Sequence, residues 1–192
     1  MPQSSTDARN IIADLSELGL VSLLSVIAVV LTAAMVLQYG YGEIPCPLCL
    51  LQRVSMFGIC FGLMHHFQLK DGARGVGLAL VSAVSLLLIS GRQTLIDIYP
   101  RPGHSYVGSA VLGLHMPVWS VLIALSVMSA LSIQIAVVGG LQPRGGDPPP
   151  KVARVARWTG LYVIMLSIIN VVSVILQCGF DACKTDGYRL LG

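Results

Sequence analysis

The chain has 192 residues, 55% of them hydrophobic and only 11% charged, with a formal net charge of +3. Soluble domains carry about 25% charged residues, so one soluble core is excluded and a bilayer is the expected solvent. The few basic residues are scattered, which argues against a nucleic-acid footprint.

A helical span needs about 20 mostly apolar residues, and five segments approach that length. The first runs from about Leu18 to Leu37 without a charge. Asp7, Arg9, Asp14 and Glu17 precede it and do not make a basic leader, so we expect a retained helix and not a cleaved signal. The others cover about Leu50 to Phe67, Gly75 to Gly91, Val118 to Val138 and Trp158 to Gln177. Between the last two lies a Pro/Gly-rich basic stretch that breaks any helix. The expected organisation is a four-helix domain over 1–141, a cytoplasmic linker over 142–157, and a fifth span with its tail over 158–192.

Lys70 and Arg74 follow span two, and Arg144, Lys151, Arg154 and Arg157 follow span four. Parity puts them on one side, which positive charge marks as cytoplasmic, together with the N-terminus. Cys46 and Cys49 then lie on the outer side, and so do Cys178 and Cys183. That side favours disulfide chemistry. Cys60 lies eleven residues beyond Cys49. A helix carries it about 16 Å deeper, where it is expected to be an inert small hydrophobe.

Cys46-Pro47-Leu48-Cys49 stands where span two begins. Two cysteines at this spacing close a small ring, and the unsatisfied N–H groups of a helix start stabilise a thiolate. Arg53 is one turn further along the same face, suited to a thiolate or to a polar ligand head. A structural disulfide, half of a metal site, or an arginine that snorkels to the interface are the bland alternatives. Of the remaining residues, His65 and His66 read as an interfacial pair, Trp119 and Trp158 as interfacial anchors, and Glu43 and Asp97 as solvated charges. His115 is a minor candidate for a ligand head, and residues 107–114 for a surface segment above it.

The run Pro45-Cys-Pro-Leu-Cys-Leu-Leu-Gln-Arg53, with Tyr99-Pro-Arg-Pro102 and Leu112-Gly-Leu-His-Met-Pro-Val-Trp119, resembles the bacterial DsbB family of membrane thiol oxidases. The resemblance implies an all-α membrane protein: a DsbB-like four-helix transmembrane bundle, here with a fifth C-terminal helix. It implies a multi-pass protein of the bacterial inner membrane that reoxidises a DsbA-like periplasmic dithiol protein. The electrons would pass to a membrane quinone, ubiquinone or menaquinone. Cys46 and Cys49 would form the quinone-coupled disulfide, with Cys49 and Arg53 at the quinone.

The chain departs from the family in two ways. Its second outer loop, Arg92 to Pro117, holds no cysteine, although the family normally carries an exchange pair there. Gln93 stands where some relatives have a histidine near the quinone. We expect Cys178 and Cys183 to replace the missing pair as the shuttle to the soluble partner. Two other functions fit the same cysteines: a metal site built from four outer thiolates, and the same exchange run as a reductase.

Overall fold

The structure, a computed structural model, describes residues 3–69, 72–99, 113–138 and 149–179. Among them every regular element is a helix: α1 (Gln3–Gly40), α2 (Pro47–Leu69), α3 (Gly72–Ile98), α4 (Met116–Val138) and α5 (Pro150–Cys178). Each is long and apolar enough to cross a membrane. The fold expected from the sequence, four helices and a fifth, is the one observed.

One core joins all five helices. Leu24, Ile27 and Leu31 of α1 meet Ile59, Cys60 and Leu63 of α2, Leu86 of α3, Leu131 of α4 and Leu166 of α5. The outward faces stay apolar, with Val29 and Leu88 each 68% exposed. A bundle with a greasy core and a greasy exterior is built for lipid.

The tightest seam is between α2 and α3, and small residues make it. A Cβ on Gly62 would lie 2.5 Å from the Ala79 nitrogen, and one on Gly75 would lie 2.6 Å from the His66 nitrogen. Without a hydrophobic drive between helices in lipid, such close backbone approach supplies the packing. At the far end of this seam from the cysteines, His66 Nε2 lies 3.4 Å from Glu17 Oε1 and ties α2 to α1.

The helices outrun the apolar segments that announced them. α3 continues from Gly91 through Arg92 to Ile98, because a helix persists past the point where its average hydropathy falls. α5 starts at Pro150, taking in Lys151, Arg154 and Arg157 from the stretch read as linker. Proline is well suited to the first turn, where its missing N–H has no partner to lose. The rest of that linker, residues 142–148, lies outside the described residues, as do residues 107–112 of the surface segment expected over 107–114.

Candidate active site

The chain reverses between α1 and α2, and the second helix starts on the cysteine motif itself. The Leu50 N–H bonds the Cys46 carbonyl at 3.0 Å, which makes Cys46 the cap and Pro47 the first helical residue. The Cys49 N–H, three residues on, points at Cys46 Sγ from 3.0 Å. A sulfur thus takes the role that a serine or aspartate oxygen plays at other helix starts. Cys46 and Cys49 are joined in a disulfide with Cα atoms 5.0 Å apart.

Helix α3 brings a polar side chain to this disulfide, and α4 and α5 bring others to its surroundings. Gln93 of α3, 6% exposed, points its Nε2 at both sulfurs, 3.5 Å from Cys46 Sγ and 3.7 Å from Cys49 Sγ. Its Oε1 accepts from Gln52 Nε2 of α2 at 2.9 Å. The Gln52 Oε1 in turn accepts from the Ser120 hydroxyl of α4 at 3.0 Å. From α5, Gln177 Nε2 donates to the Pro45 carbonyl at 2.8 Å, and the hydroxyls of Tyr39 and Ser173 hydrogen-bond between α1 and α5. The end of α5 therefore sits at the cysteine end of the bundle.

Arg53 turns toward α1. Its Nη1 donates to Gln38 Oε1 and its Nη2 to the Ala34 carbonyl at 3.0 Å. The residue is only 8% exposed. An arginine buried among membrane helices is costly unless its donors are used, and these acceptors use them. The sequence placed Arg53 beside Cys49. In the structure both line one cavity, while Gln93 is the side chain seen donating to the sulfurs.

That cavity encloses about 860 Å³ between α1, the α1–α2 turn, α2 and α4. Ligand pockets run roughly 300–1,000 Å³. Its cysteine end presents Gln38, Glu43, Cys49, Gln52, Arg53 and Ser120. Deeper along the same helices the wall is Val30, Ala33, Met56 and Ile123. Cys49 lines it, and Cys46 is not among its walls. Glu43, expected as a solvated charge, is a wall residue here, and so is Trp119, expected only as an anchor. His115 is not part of the lining.

Cys178 ends α5 in a disulfide, directly after the glutamine that holds Pro45. Gly179, with φ of 61°, closes the helix by donating to the Ile175 carbonyl at 2.8 Å. Cys183 lies outside the described residues. Cys60 is free and fully buried in the core, as expected. Sequence reasoning did not find the Gln38, Gln52, Ser120 and Gln177 contacts. The available signal was a handful of uncharged polar residues inside apolar runs.

The fold and the site together describe a multi-pass helical membrane protein with a dithiol–disulfide pair set against a lipid-level cavity. Residues 16–106 match the family described as "Disulfide bond formation protein DsbB", so that stretch of the chain is similar to the DsbB family. It is 32% identical over 108 residues to a "Disulfide bond formation protein B" of Chromohalobacter salexigens, covering 50% of this chain and 59% of that relative. A protein of the same name from Cupriavidus metallidurans is 25% identical over 130 residues, covering 53% of this chain and 81% of the relative. The family match takes in α1 from residue 16, α2 and α3; α4 and α5 with Cys178 lie beyond it. No solved structure matches the chain.

Proposed function

We propose that this chain is a quinone-dependent thiol oxidase of the bacterial inner membrane, which reoxidises a periplasmic DsbA-like dithiol protein and so supports disulfide bond formation. The observation that carries the proposal is the cavity that has Cys49 in its wall. Its walls fit a quinone: a long apolar cleft for the tail, and at one end a buried cation and amides suited to ring oxygens. A quinone bound there supplies the sink for two electrons and two protons. Arg53, Gln38 and Gln52 would hold it, beside Cys49.

The chain's own chemistry is thiol–disulfide exchange. An incoming thiolate attacks Cys46 Sγ and forms a mixed disulfide; the bond to Cys49 breaks, and Cys49 leaves as a thiolate on the cavity side. Resolution of the mixed disulfide by the second thiol of the attacking pair releases that pair as a disulfide and leaves Cys46 and Cys49 reduced.

Because the second outer loop holds no cysteine, we assign the exchange with the partner to Cys178 and Cys183. Supporting this, Cys178 follows Gln177, which bonds the residue before Cys46. The domain plan follows from the same reading: a DsbB-like unit over 1–141, a linker, and a fifth span that carries the shuttle, with both cysteine pairs periplasmic and the N-terminus cytoplasmic.

The test is to reduce the purified protein, add a quinone without any soluble oxidant, and assign the lost thiols by mass spectrometry. Loss of two thiols at Cys46 and Cys49 is expected, and their persistence would refute the reading. In the Cys178→Ser/Cys183→Ser double variant, quinone-driven closure of Cys46–Cys49 should survive while oxidation of the soluble dithiol protein fails. Partner oxidation at the normal rate would remove the shuttle.

A further inference from the structure

We infer that Gln93 is a catalytic residue of the disulfide itself: its side-chain amide stabilises the Cys49 thiolate formed when the disulfide opens, and so makes the pair more oxidising. The inference rests on the proposed redox role of Cys46 and Cys49 but assigns a function that the cavity does not contain. Gln93 is not one of the cavity walls. It reaches the sulfurs from α3, and its bond to Gln52, which does line the cavity, is its link to that wall.

The orientation of that amide is set by a chain of bonds across three helices. Ser120 Oγ, which also has the Met116 carbonyl at 3.3 Å, donates to the nearer Gln52 Oε1 at 3.0 Å; Gln52 Nε2 donates to Gln93 Oε1, and this leaves the Gln93 NH₂ for the sulfurs. The reverse orientation would turn the Gln93 oxygen, which can only accept, toward sulfur lone pairs, and no donor would link the two. All three side chains are buried, so bulk water does not compete for the sulfurs from that side.

The disulfide is neutral, and a neutral sulfur is a weak acceptor. On exchange the attacking thiolate's electron pair forms the new bond to Cys46, and the S–S bonding pair goes to Cys49 Sγ, which becomes an anion. Hydrogen bonds to an ionised group are about twice as strong as neutral ones. The amide therefore favours the opened form over the closed one. A dithiol couple whose reduced form is stabilised is the stronger oxidant. The donor is neutral, so it assists the thiolate without adding a second charge beside buried Arg53.

The test uses the full chain freed of quinone and equilibrated in glutathione buffers. The fraction of Cys46–Cys49 disulfide and the alkylation rate of reduced Cys49 are read at residue level by mass spectrometry. Gln93→Met keeps a similar volume and removes the donor. It should move the glutathione equilibrium about tenfold toward the disulfide, which is about 30 mV in potential for a two-electron couple, and slow Cys49 alkylation at neutral pH. Gln93→His, which restores an N–H donor, should fall between the two.

Cys60 is the internal fold control, since it is fully buried and unreactive while the bundle is intact. If Cys60 is alkylated in Gln93→Met, Gln52→Met takes its place. That variant leaves Gln93 present without its anchor and should shift both readouts the same way by less. Wild-type equilibrium and wild-type Cys49 alkylation in a variant with Cys60 still protected would overturn the inference. A wild-type protein whose Cys46–Cys49 pair does not cycle in glutathione would instead overturn the proposed function.

Discussion

At the scale of single residues, the cysteine end is organised by uncharged amides around one buried cation. Arg53 holds two acceptors of α1, Gln38 Oε1 and the Ala34 carbonyl. Arg53→Leu would leave both without this donor in a buried setting, and each such loss costs about 1–3 kcal/mol. A lowered thermal midpoint is the expected result. The same variant should bind quinone roughly tenfold more weakly, the equivalent of about 1.4 kcal/mol. Quenching of the Trp119 indole, which lines the cavity, gives the titration; unchanged affinity would show that Arg53 serves α1 alone.

The cysteine motif and its arginine were legible in the sequence because spacing and charge inside an apolar run are local signals. Gln52 was not, and Gln93 stood out only by its position in the resemblance and not by its contacts, since the partners of Gln52 lie 41 and 68 residues away and an uncharged amide in a span carries no hint of its direction. Glu43, half-buried, also lines the cavity, a contact that a carboxylate in a short turn does not announce.

At the scale of elements, the α2–α3 seam and the docking of α5 position the site. Gly62→Ala would force a methyl group to 2.5 Å from backbone atoms of α3. Strain of this kind costs about 1–3 kcal/mol, and unfolding in a denaturing detergent should detect it. Gly77→Ala is the control: a Cβ there meets nothing within 4 Å, and its stability should match the parent or exceed it slightly.

α5 is attached differently, through polar contacts to α1 and to the turn. Thr32 and Tyr162 hydroxyls lie 2.8 Å apart, with the Tyr39–Ser173 and Gln177–Pro45 bonds further along. Gln177→Leu should cost about 1 kcal/mol and slow partner oxidation, with quinone-driven closure of Cys46–Cys49 little changed. Equal rates in the two assays would mean that the tether has no part in the shuttle. The existence and order of all five helices could be read from hydropathy. Their ends could not, because α3 and α5 extend over charged residues that a hydropathy window rejects.

At the scale of the whole molecule, parity brings the cysteine-bearing ends together. The contacts of Gln177 with Pro45 and of Gln93 with both sulfurs link the corresponding ends of α5, α3 and the α1–α2 turn. Which side of the membrane that end faces follows from the proposed topology and can be measured. In reduced spheroplasts, a membrane-impermeant maleimide should label the Cys46–Cys49 pair from outside and leave Cys60 unlabelled until the protein is denatured. Labelling of that pair only after permeabilisation would invert the topology and remove the periplasmic partner.

The bond from Gln177 to Pro45 spans 132 residues of chain. Synthesis runs from the N-terminus, and helices of a multi-span protein enter the membrane before later ones exist. The turn that carries Cys46 is therefore made and delivered long before the side chain that holds its neighbour in place. Until α5 docks, a nascent chain displays a dithiol motif whose approach is not yet fixed. The cysteine end is thus assembled late, and the first turn waits on the fifth helix for its final shape.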